Sequence, residues 1–503
     1  MTDGLELGGV YGETLSRITR QSEEKSRLGM AALMWISHSE RPLKVDELCH
    51  ALGVEIGSPD LDSDNVPSIR TLLGCCQGLV SVDKKASTVR LIHFTLQEYL
   101  RAHPQFFGRA HSTMAETCLS YLNSHQIKAL SATPSPDLRG TPFLEYSSLY
   151  WGTHAKRELS DCAKQLALKL FDDYNNHIST EILLKAGKSR FFQVEINRLY
   201  LFSGLHCASF FGIVEIVAGL VEVEDCDINQ TDCTGSAPLV WAASNGHQEV
   251  VKILLGRADV NPNNSDMSGR TPLLRAAMNG HEEVVKMLLR RDDVNPNKPD
   301  TIGQTPLLCA AMNGHKGVVK MLLGRDDVNP DNADGGHRTP LLRAAMNGHE
   351  EVVKMLLGQD DVNPNKPDII GLTPLLCAAM NGHEGTVKIL LGRDDVNPNK
   401  PDIPGRTPLS CAAENGHEGV VTILLGRDDV NPNKPDIASR TPLSYAAENG
   451  HEGVVKILLG RDDVNPNKPD SSGRTPLWWA TRNGHAGVIA LLQPPASPTP
   501  STA

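Results

Sequence analysis

Several features are scarce in this 503-residue sequence, and each scarcity narrows the class of protein. Aromatic residues make up only 5% of the chain, so a core of stacked helices would have to consist of Leu, Val, Ile and Ala. No apolar run approaches the roughly 18 residues that a membrane-spanning helix needs. The residues after Met1 lack a basic stretch followed by an apolar one, so we expect no signal peptide.

The cysteines do not form the pattern of a disulfide framework. There are 11 of them, an odd number, and no Cys-x-x-Cys pair occurs. One repeated position carries Cys309, Cys377 and Cys411 in some copies and Arg275 in another, which a conserved disulfide would not tolerate. Reduced thiols predict an intracellular protein, with the cytoplasm as the expected compartment and the nucleus as the alternative.

The net charge is −11, and nearly all of it lies after residue 202. Nucleic acids are bound through Lys and Arg that neutralise phosphates, so an acidic chain is a poor candidate for that partner. Lys84-Lys85 is the only basic pair in the one hairpin that could act as a DNA-binding wing. We therefore predict neither a nucleic-acid partner nor a membrane partner.

A unit of 34 residues repeats along the second half of the chain. Its Thr-Pro-Leu signature recurs without insertion or deletion from Pro238 to Pro476, giving eight copies, and a degenerate copy with Gly204-Leu205 precedes them. A fixed period of this length predicts a stack of small units that bury a shared core, rather than a globular enzyme core.

Each unit has the pattern of two short helices and a loop. In the unit that begins at Thr271, the Thr can cap the helix that Pro272 opens. Asn279-Gly280-His281 predicts a turn, and Glu282–Leu289 has apolar residues at helical spacing. The stretch Asp292–Pro299 is rich in turn residues and predicts an extended loop.

This unit closely resembles the ankyrin repeat. The resemblance rests on Thr-Pro-Leu-x-x-Ala-Ala-x-x-Gly-His, as in Thr441–His451, and on Val-Val-Lys-x-Leu-Leu, as in Val454–Leu459. It implies an α-solenoid of about nine units that binds a partner protein on its concave face. The family usually has a His after Thr-Pro-Leu, and only His206 in the first unit retains it, so we expect Thr alone to cap the other units.

The first half of the chain predicts smaller helical modules. Helices at Leu28–Ser37, Val45–Leu52 and Ile69–Leu79, then strand, turn and strand, then a helix from Thr95, suggest a winged helix. The fold class is therefore mostly α, with an ankyrin-repeat α-solenoid preceded by a winged-helix-like domain and a helical segment. The predicted domains are a partly helical N-terminal remnant (1–27), the winged-helix-like domain (28–105), a helical linker (106–202), the repeats (203–493) and a disordered tail (494–503).

The N-terminal half resembles the region that follows the NTPase domain in fungal NACHT–ankyrin proteins of the NLR-like (STAND) class. Leu33–Ser37, Leu91–Leu100 and Tyr146–His154 carry the resemblance. In that class the winged helix packs on the nucleotide-binding domain and the repeats act as a sensor. The NTPase domain is not in this sequence, which predicts a truncated gene product or a free-standing fragment, with possible association with an NTPase domain in trans.

The copies differ from one another at three places, which we name the first variable position, the second variable position and the loop tip. In the ankyrin family these correspond to the surfaces that contact partners, so we predict partner binding there. Neutral drift is the alternative, and packing between units is the alternative for the row of Met residues. The candidate residues are Trp241, Arg275, Arg343, Tyr445 and Trp479 at the first; Met278, Met312, Met346, Met380, Glu414, Glu448 and Arg482 at the second; and Met267, Ile302, Ile369, Ile370 and Ile403 at the loop tips.

Motifs that would indicate a cofactor, a metal or catalysis fail on inspection. Ala186–Ser189 ends like a phosphate-binding loop but lacks the first Gly, which is Ile182 here. Asp293-x-Asn295-x-Asn297 lacks the Gly and Glu of a calcium loop. The Gly-His residues occur once per unit and so lie too far apart to share a metal. We predict a non-enzymatic interaction scaffold; the alternative is the sensor half of an NLR-like signalling NTPase.

Overall fold

The structure is a computed structural model that describes residues 3–131, 138–186, 201–223 and 226–493. The chain divides into two compact units, residues 1–264 and 265–503, and each is treated by itself. Within the described ranges there are 28 α-helices and one two-stranded sheet. No helix in this part of the chain is long and apolar enough to cross a membrane.

The first part of unit 1 is a winged helix, as the sequence predicts. The antiparallel hairpin pairs Val80 with Leu91 and Asp83 with Thr88. Ser68 caps the helix before it by accepting a hydrogen bond from the Thr71 amide. The elements are α1 (Asp3–Thr19), α2 (Glu23–His38), α3 (Val45–Gly53), α4 (Ile69–Cys75), β1 (Val80–Asp83), β2 (Thr88–Leu91) and α5 (Phe94–Ala102).

Helix α1 lies within residues 1–27, which the sequence predicts to be partly helical. Tyr11, Leu15 and Ile18 form its buried face. Ile18 packs towards Gly29 of α2, where a Cβ would come within 2.8 Å of the Cys75 carbonyl oxygen. The absence of a side chain at Gly29 therefore allows α2 to approach α1 and the end of α4 closely. The domain boundary predicted at residue 28 stays a prediction.

A helical segment follows, with an aromatic core. Trp35, Phe143 and Tyr146 pack edge-on or stacked, with ring centroids 5.5–5.9 Å apart. The low aromatic content predicted an aliphatic core throughout. This holds for unit 2 apart from Tyr445 and Trp479, but it is wrong here, because the aromatic residues are concentrated in unit 1. The helices are α6 (Ala110–Asn123), α7 (His125–Ser131), α8 (Leu144–Arg157), α9 (Asp161–Phe171) and α10 (Ile178–Ala186).

Helix pairs make up the rest of the described chain. Unit 1 contains α11 (Gly204–Phe211), α12 (Val214–Val221), α13 (Pro238–Ser244) and α14 (Gln248–Leu255). Unit 2 contains α15 (Pro272–Asn279), α16 (Glu282–Leu289), α17 (Pro306–Met312), α18 (Lys316–Leu323), α19 (Pro340–Met346), α20 (Glu350–Leu357), α21 (Pro374–Met380), α22 (Glu384–Leu391), α23 (Pro408–Glu414), α24 (Glu418–Leu425), α25 (Pro442–Asn449), α26 (Glu452–Leu459), α27 (Pro476–Asn483) and α28 (Ala486–Leu492). The predicted tail at 494–503 and most of the phosphate-loop-like motif, from Gly187, lie outside the described residues.

Candidate protein-interaction surface

From Thr271 onwards, each repeat begins with the predicted Thr cap. The expectation is wrong for the preceding repeat, where Ala237 stands at that position and offers no side-chain acceptor. The Thr271 hydroxyl accepts a hydrogen bond from the Leu274 amide at 3.1 Å, and every later repeat has the equivalent bond. Pro at the first helical position loses no hydrogen bond there. The hydroxyl of Ser410 lies 3.0 Å from that of Thr407, so a Ser in the family's His position makes a short link that Leu does not.

The Gly-His residues join neighbouring repeats, which confirms that they are structural. Nε2 of His315 donates to the backbone carbonyl of Met278 at 3.0 Å, and the same bond recurs along unit 2. The ring also covers Gly280 of the preceding repeat, which has φ +75° and no room for a Cβ. No group of three or more potential metal ligands occurs among the described residues.

The first variable position points into its own repeat rather than towards a partner. Tyr445 and Trp479 are only 6% and 7% exposed. The Tyr445 hydroxyl donates to Asp436 at 2.7 Å, and Nε1 of Trp479 lies 3.3 Å from the carboxylate of Asp470. Trp241 binds Asp232, Arg275 binds Asp266, and Arg343 binds Asp334 in the same way.

The loop Asp explains this arrangement. One carboxylate oxygen of Asp266 accepts hydrogen bonds from the amides of Ser268 and Arg270, and so closes the loop tip. The other carboxylate oxygen receives no hydrogen bond from these amides, and a buried carboxylate oxygen needs a hydrogen-bond donor. Trp, Arg and Tyr share a long side chain with an N–H or O–H group, and that shared property was the signal in the sequence. Where the position is Cys411, Arg406 supplies the donor to Asp402 instead.

The second variable position is half-buried. Met346 and Met380 pack against a buried cluster, which supports the packing interpretation of the Met row. Glu414 is held by Arg406 at 3.0 Å, and Glu448 pairs with Arg440. Arg482 is exposed and lies over Trp478 and Trp479 at the end of the array. The cluster consists of Leu342, Leu372, Leu376, Cys377 and Cys411.

Buried groups of the repeats are held in fixed protonation states. Burial raises the pKa of Cys309, Cys377 and Cys411 to about 12, so these thiols stay neutral. Burial opposes ionisation of Asp334, but hydrogen bonds from Arg338 and Arg343 outweigh it and lower the pKa of Asp334. Neither pattern gives an activated nucleophile.

The loop tips are the exposed apolar feature of unit 2. We name these side chains the loop-tip row. It includes Ile437, the most exposed of the set, which the sequence analysis did not select. Their exposed fractions are 66% for Met267, 56% for Ile302, 59% for Ile369, 51% for Ile370, 66% for Ile403 and 80% for Ile437.

Backbone hydrogen bonds connect each loop tip to the next. The Ile403 amide donates to the carbonyl of Ile370 at 3.1 Å, and the Ile437 amide donates to that of Pro404 at 3.0 Å. Equivalent bonds run from Thr301 to Ser471. The row is therefore carried on a bonded backbone, which holds the apolar side chains in order while their apolar surface faces solvent.

Comparison with protein families agrees with this geometry. Residues 205–300, 292–368, 361–436 and 426–501 match the family described as ankyrin repeats (3 copies), which covers more than half of the chain. The chain belongs to the ankyrin-repeat family. Residues 16–111 match the winged helix domain of GPI inositol-deacylase. No curated protein matches the sequence.

Proposed function

We propose that this chain is a non-enzymatic scaffold that binds a partner protein through the loop-tip row. The carrying observation is the exposure of six apolar side chains, each at least half exposed, on five tips of one bonded backbone, in which only the Gly335-Gly336 tip interrupts the series. Single exposed apolar residues are ordinary, whereas an ordered series marks an interaction surface. Ankyrin repeats support a protein-interaction role in general.

The proposal changes which predicted residues would touch a partner. Met267, Ile302, Ile369, Ile370 and Ile403 are retained, and Ile437 is added. The first variable position, with Tyr445 and Trp479 buried, would act indirectly by holding the loop Asp. The Met and Glu side chains of the second variable position are half-buried, so only part of each would be open to a partner.

The test is a paired capture and affinity experiment. Proteins bound by the full chain are identified first, and the affinity of each purified partner is then measured. The variant Ile403→Asp/Ile437→Asp is expected to weaken binding at least about 100-fold, because two apolar contacts of about 1.4 kcal/mol or more are replaced by charge.

The matched control is Lys388→Asp/Lys456→Asp, which also places two Asp side chains at exposed positions but on α22 and α26. This control should leave the affinity for the partner within about twofold, because exposed charges remote from an interface contribute little. Equal affinity of the Ile variant and the control would overturn the loop-tip proposal.

A second candidate is the sensor half of an NLR-like signalling NTPase. The favouring observation is an exposed apolar pair, Ile92 at 51% and Phe94 at 65%, on either side of His93 in the winged helix. Such a pair would suit packing against a nucleotide-binding domain supplied by another chain. Phe94→Asp should then abolish capture of an NTPase while loop-tip binding persists; absence of any NTPase among the proteins bound by the unaltered chain would exclude this candidate.

A further inference from the structure

Two ladders of side chains join consecutive repeats of unit 2 beyond their packed helices. In the first, an Arg just after the second helix pairs with an Asp two residues on and donates to the last carbonyl of the preceding second helix. Arg393 donates in this way to Leu357 at 2.6 Å, and Arg427 to Leu391 at 2.7 Å. The same bond is made by Arg325 to Leu289 and by Arg461 to Leu425.

The second ladder consists of Asn side chains in the loops. Asn399 donates to the carbonyl of Asp429 at 2.5 Å and accepts from the Asn431 amide at 2.9 Å. Each Asn thus uses both ends of its amide group, which no carboxylate can do because it has no donor. Equivalent pairs of bonds start at Asn297, Asn365 and Asn433.

One junction of the five between α16 and α26 lacks both ladders. It lies between α18 and α20, and we name it the Gln359 junction. Gln359 stands where the other copies have Arg, and among the described residues its side chain bonds neither to Asp361 nor to the Leu323 carbonyl. Asp331 stands where the other copies have Asn, and its Oδ1 is buried with no hydrogen-bond partner.

Other links survive at this junction. Lys366 pairs with the other carboxylate oxygen of Asp331 at 2.9 Å. His349 and Asn347 still donate to the Met312 carbonyl, at 3.0 and 2.7 Å. The repeats therefore remain joined at the end of the first helix, by Lys366, and by the loop-tip bond from the Ile369 amide to the Gly336 carbonyl. What this junction lacks is the Arg bond and the Asn bonds that follow the second helix elsewhere.

The loop tip departs from the pattern in the same stretch. Gly335-Gly336 replaces the apolar tip and divides the loop-tip row into two patches, Met267 with Ile302 and Ile369 to Ile437. The next residue, His337, has φ +60° at a position that is Gly in most copies. A side chain in the left-handed region is strained.

We propose that the Gln359 junction is the built-in opening point of this array, and that its opening regulates the loop-tip row by changing the spacing of the two patches. The regulatory part rests on the proposed function, but the opening itself does not. Rotation about the retained His349 link would separate the loops that carry Asp331 and Asn363. Only the Lys366 contacts to Asp331 and one loop-tip backbone bond oppose it, whereas the other junctions add both ladders. A partner that spans both patches would then select one spacing.

Hydrogen exchange of the full chain, without any partner, tests the opening. The amides of Gly324 and Gly358 flank the junction and make helical bonds equivalent to those of Gly426 and Gly460. We expect peptides that hold the first two to exchange at least about tenfold faster than those that hold the last two, since local opening exposes them. Equal rates would overturn the proposal.

Restoring the consensus residues gives a stabilising test. Gln359→Arg/Asp331→Asn should slow exchange at Gly324 and Gly358 to the rate of the other junctions, with the α24 peptides unchanged. The matched variant Arg427→Gln/Asn399→Asp removes the same two ladders between α22 and α24, and should create a second fast junction there. If neither double substitution changes local exchange, the ladders do not control opening.

Partner affinity separates the two proposals. If Ile403→Asp/Ile437→Asp leaves binding intact while the exchange pattern is as expected, the opening point stands and the loop-tip function falls. If the restored variant binds a partner with the same affinity and rate as the unaltered chain, the junction opens but does not regulate binding.

Discussion

At the residue scale, the loop Asp accepts a hydrogen bond from the first variable position wherever that position is Trp, Arg or Tyr, whereas three copies have Cys there. Asp436 uses one oxygen to close the loop tip and the other to accept from Tyr445. Comparison of the copies showed that this position varies, but variation does not distinguish a side chain facing a partner from one facing its own loop. The shared donor group does distinguish them, and only the structure showed which acceptor it meets.

Tyr445→Phe tests this structural role. The change leaves a carboxylate oxygen of Asp436 without the donor that it has in the folded state, so the free energy of unfolding should fall by about 1–3 kcal/mol. Partner affinity should stay within about twofold, because the side chain is buried. Urea unfolding measures the change in stability, and a binding assay measures the partner affinity. A large loss of affinity with unchanged stability would contradict the structural role of Tyr445.

His337→Gly tests the strain at the divided loop tip. Removing a side chain from the left-handed region should raise the free energy of unfolding by about 0.5–1 kcal/mol, after allowance for the greater freedom of Gly in the unfolded chain. Ser439 has φ +62° at the equivalent position, so Ser439→Gly is the matched variant and should change stability in the same direction. A decrease in both variants would show that these side chains make compensating contacts.

At the element scale, the repeat helices were the most predictable part of the molecule. Helices of seven or eight residues are marked in the sequence by a Thr cap, a Pro at the first helical position and a Gly turn. The predicted helix Glu282–Leu289 therefore matches α16. Helix α7 lies within the predicted helical linker, but no separate helix could be assigned to it, because Ile127 is its one buried apolar side chain. The 34-residue register of the repeats identified the loop tips. The exposure of each side chain at a tip depends on the neighbouring repeats, so Ile437 was not selected from the sequence.

Thr373→Ala should test the cap of α21 directly. The Thr373 hydroxyl accepts from the Leu376 amide at 3.2 Å, and Leu376 offers no second polar link. The free energy of unfolding should fall by about 1 kcal/mol, whereas Thr373→Ser should retain most of it. Thermal and urea unfolding measure the difference; equal losses in the two variants would mean that the methyl group of Thr, and not its hydroxyl, matters here.

At the scale of the whole molecule, unit 1 should respond to mild acid. His177 is buried, its Nε2 donates to the Leu122 carbonyl, and burial lowers its pKa from 6.5 to about 4. The pKa of His177 is lower in the folded chain than in the unfolded chain. The contribution of His177 to stability is therefore fully present above pH 6.5 and is lost as the pH falls towards 4. The loss from this group alone is about 3 kcal/mol.

The loss is measured by unfolding the full chain at several pH values between 7.5 and 4.5. Hydrogen exchange of the amides in α6 and α10 monitors the unfolding. His154 should add to it, because burial lowers the pKa of His154 to about 3. His177→Gln should be less stable at pH 7.5 but should lose less stability on acidification. Parallel curves for the variant and the unaltered chain would assign the acid response to other groups.

The ladders of unit 2 have a consequence for how this chain could change in length. The junctions from α20 to α26 use the same Arg, Asn, His and loop-tip bonds. Loss or gain of one whole 34-residue unit would therefore join surfaces that already fit, and would leave the register of the rest intact. The number of apolar tips, and with it the length of partner that the row can span, could thus vary in single steps between otherwise identical proteins.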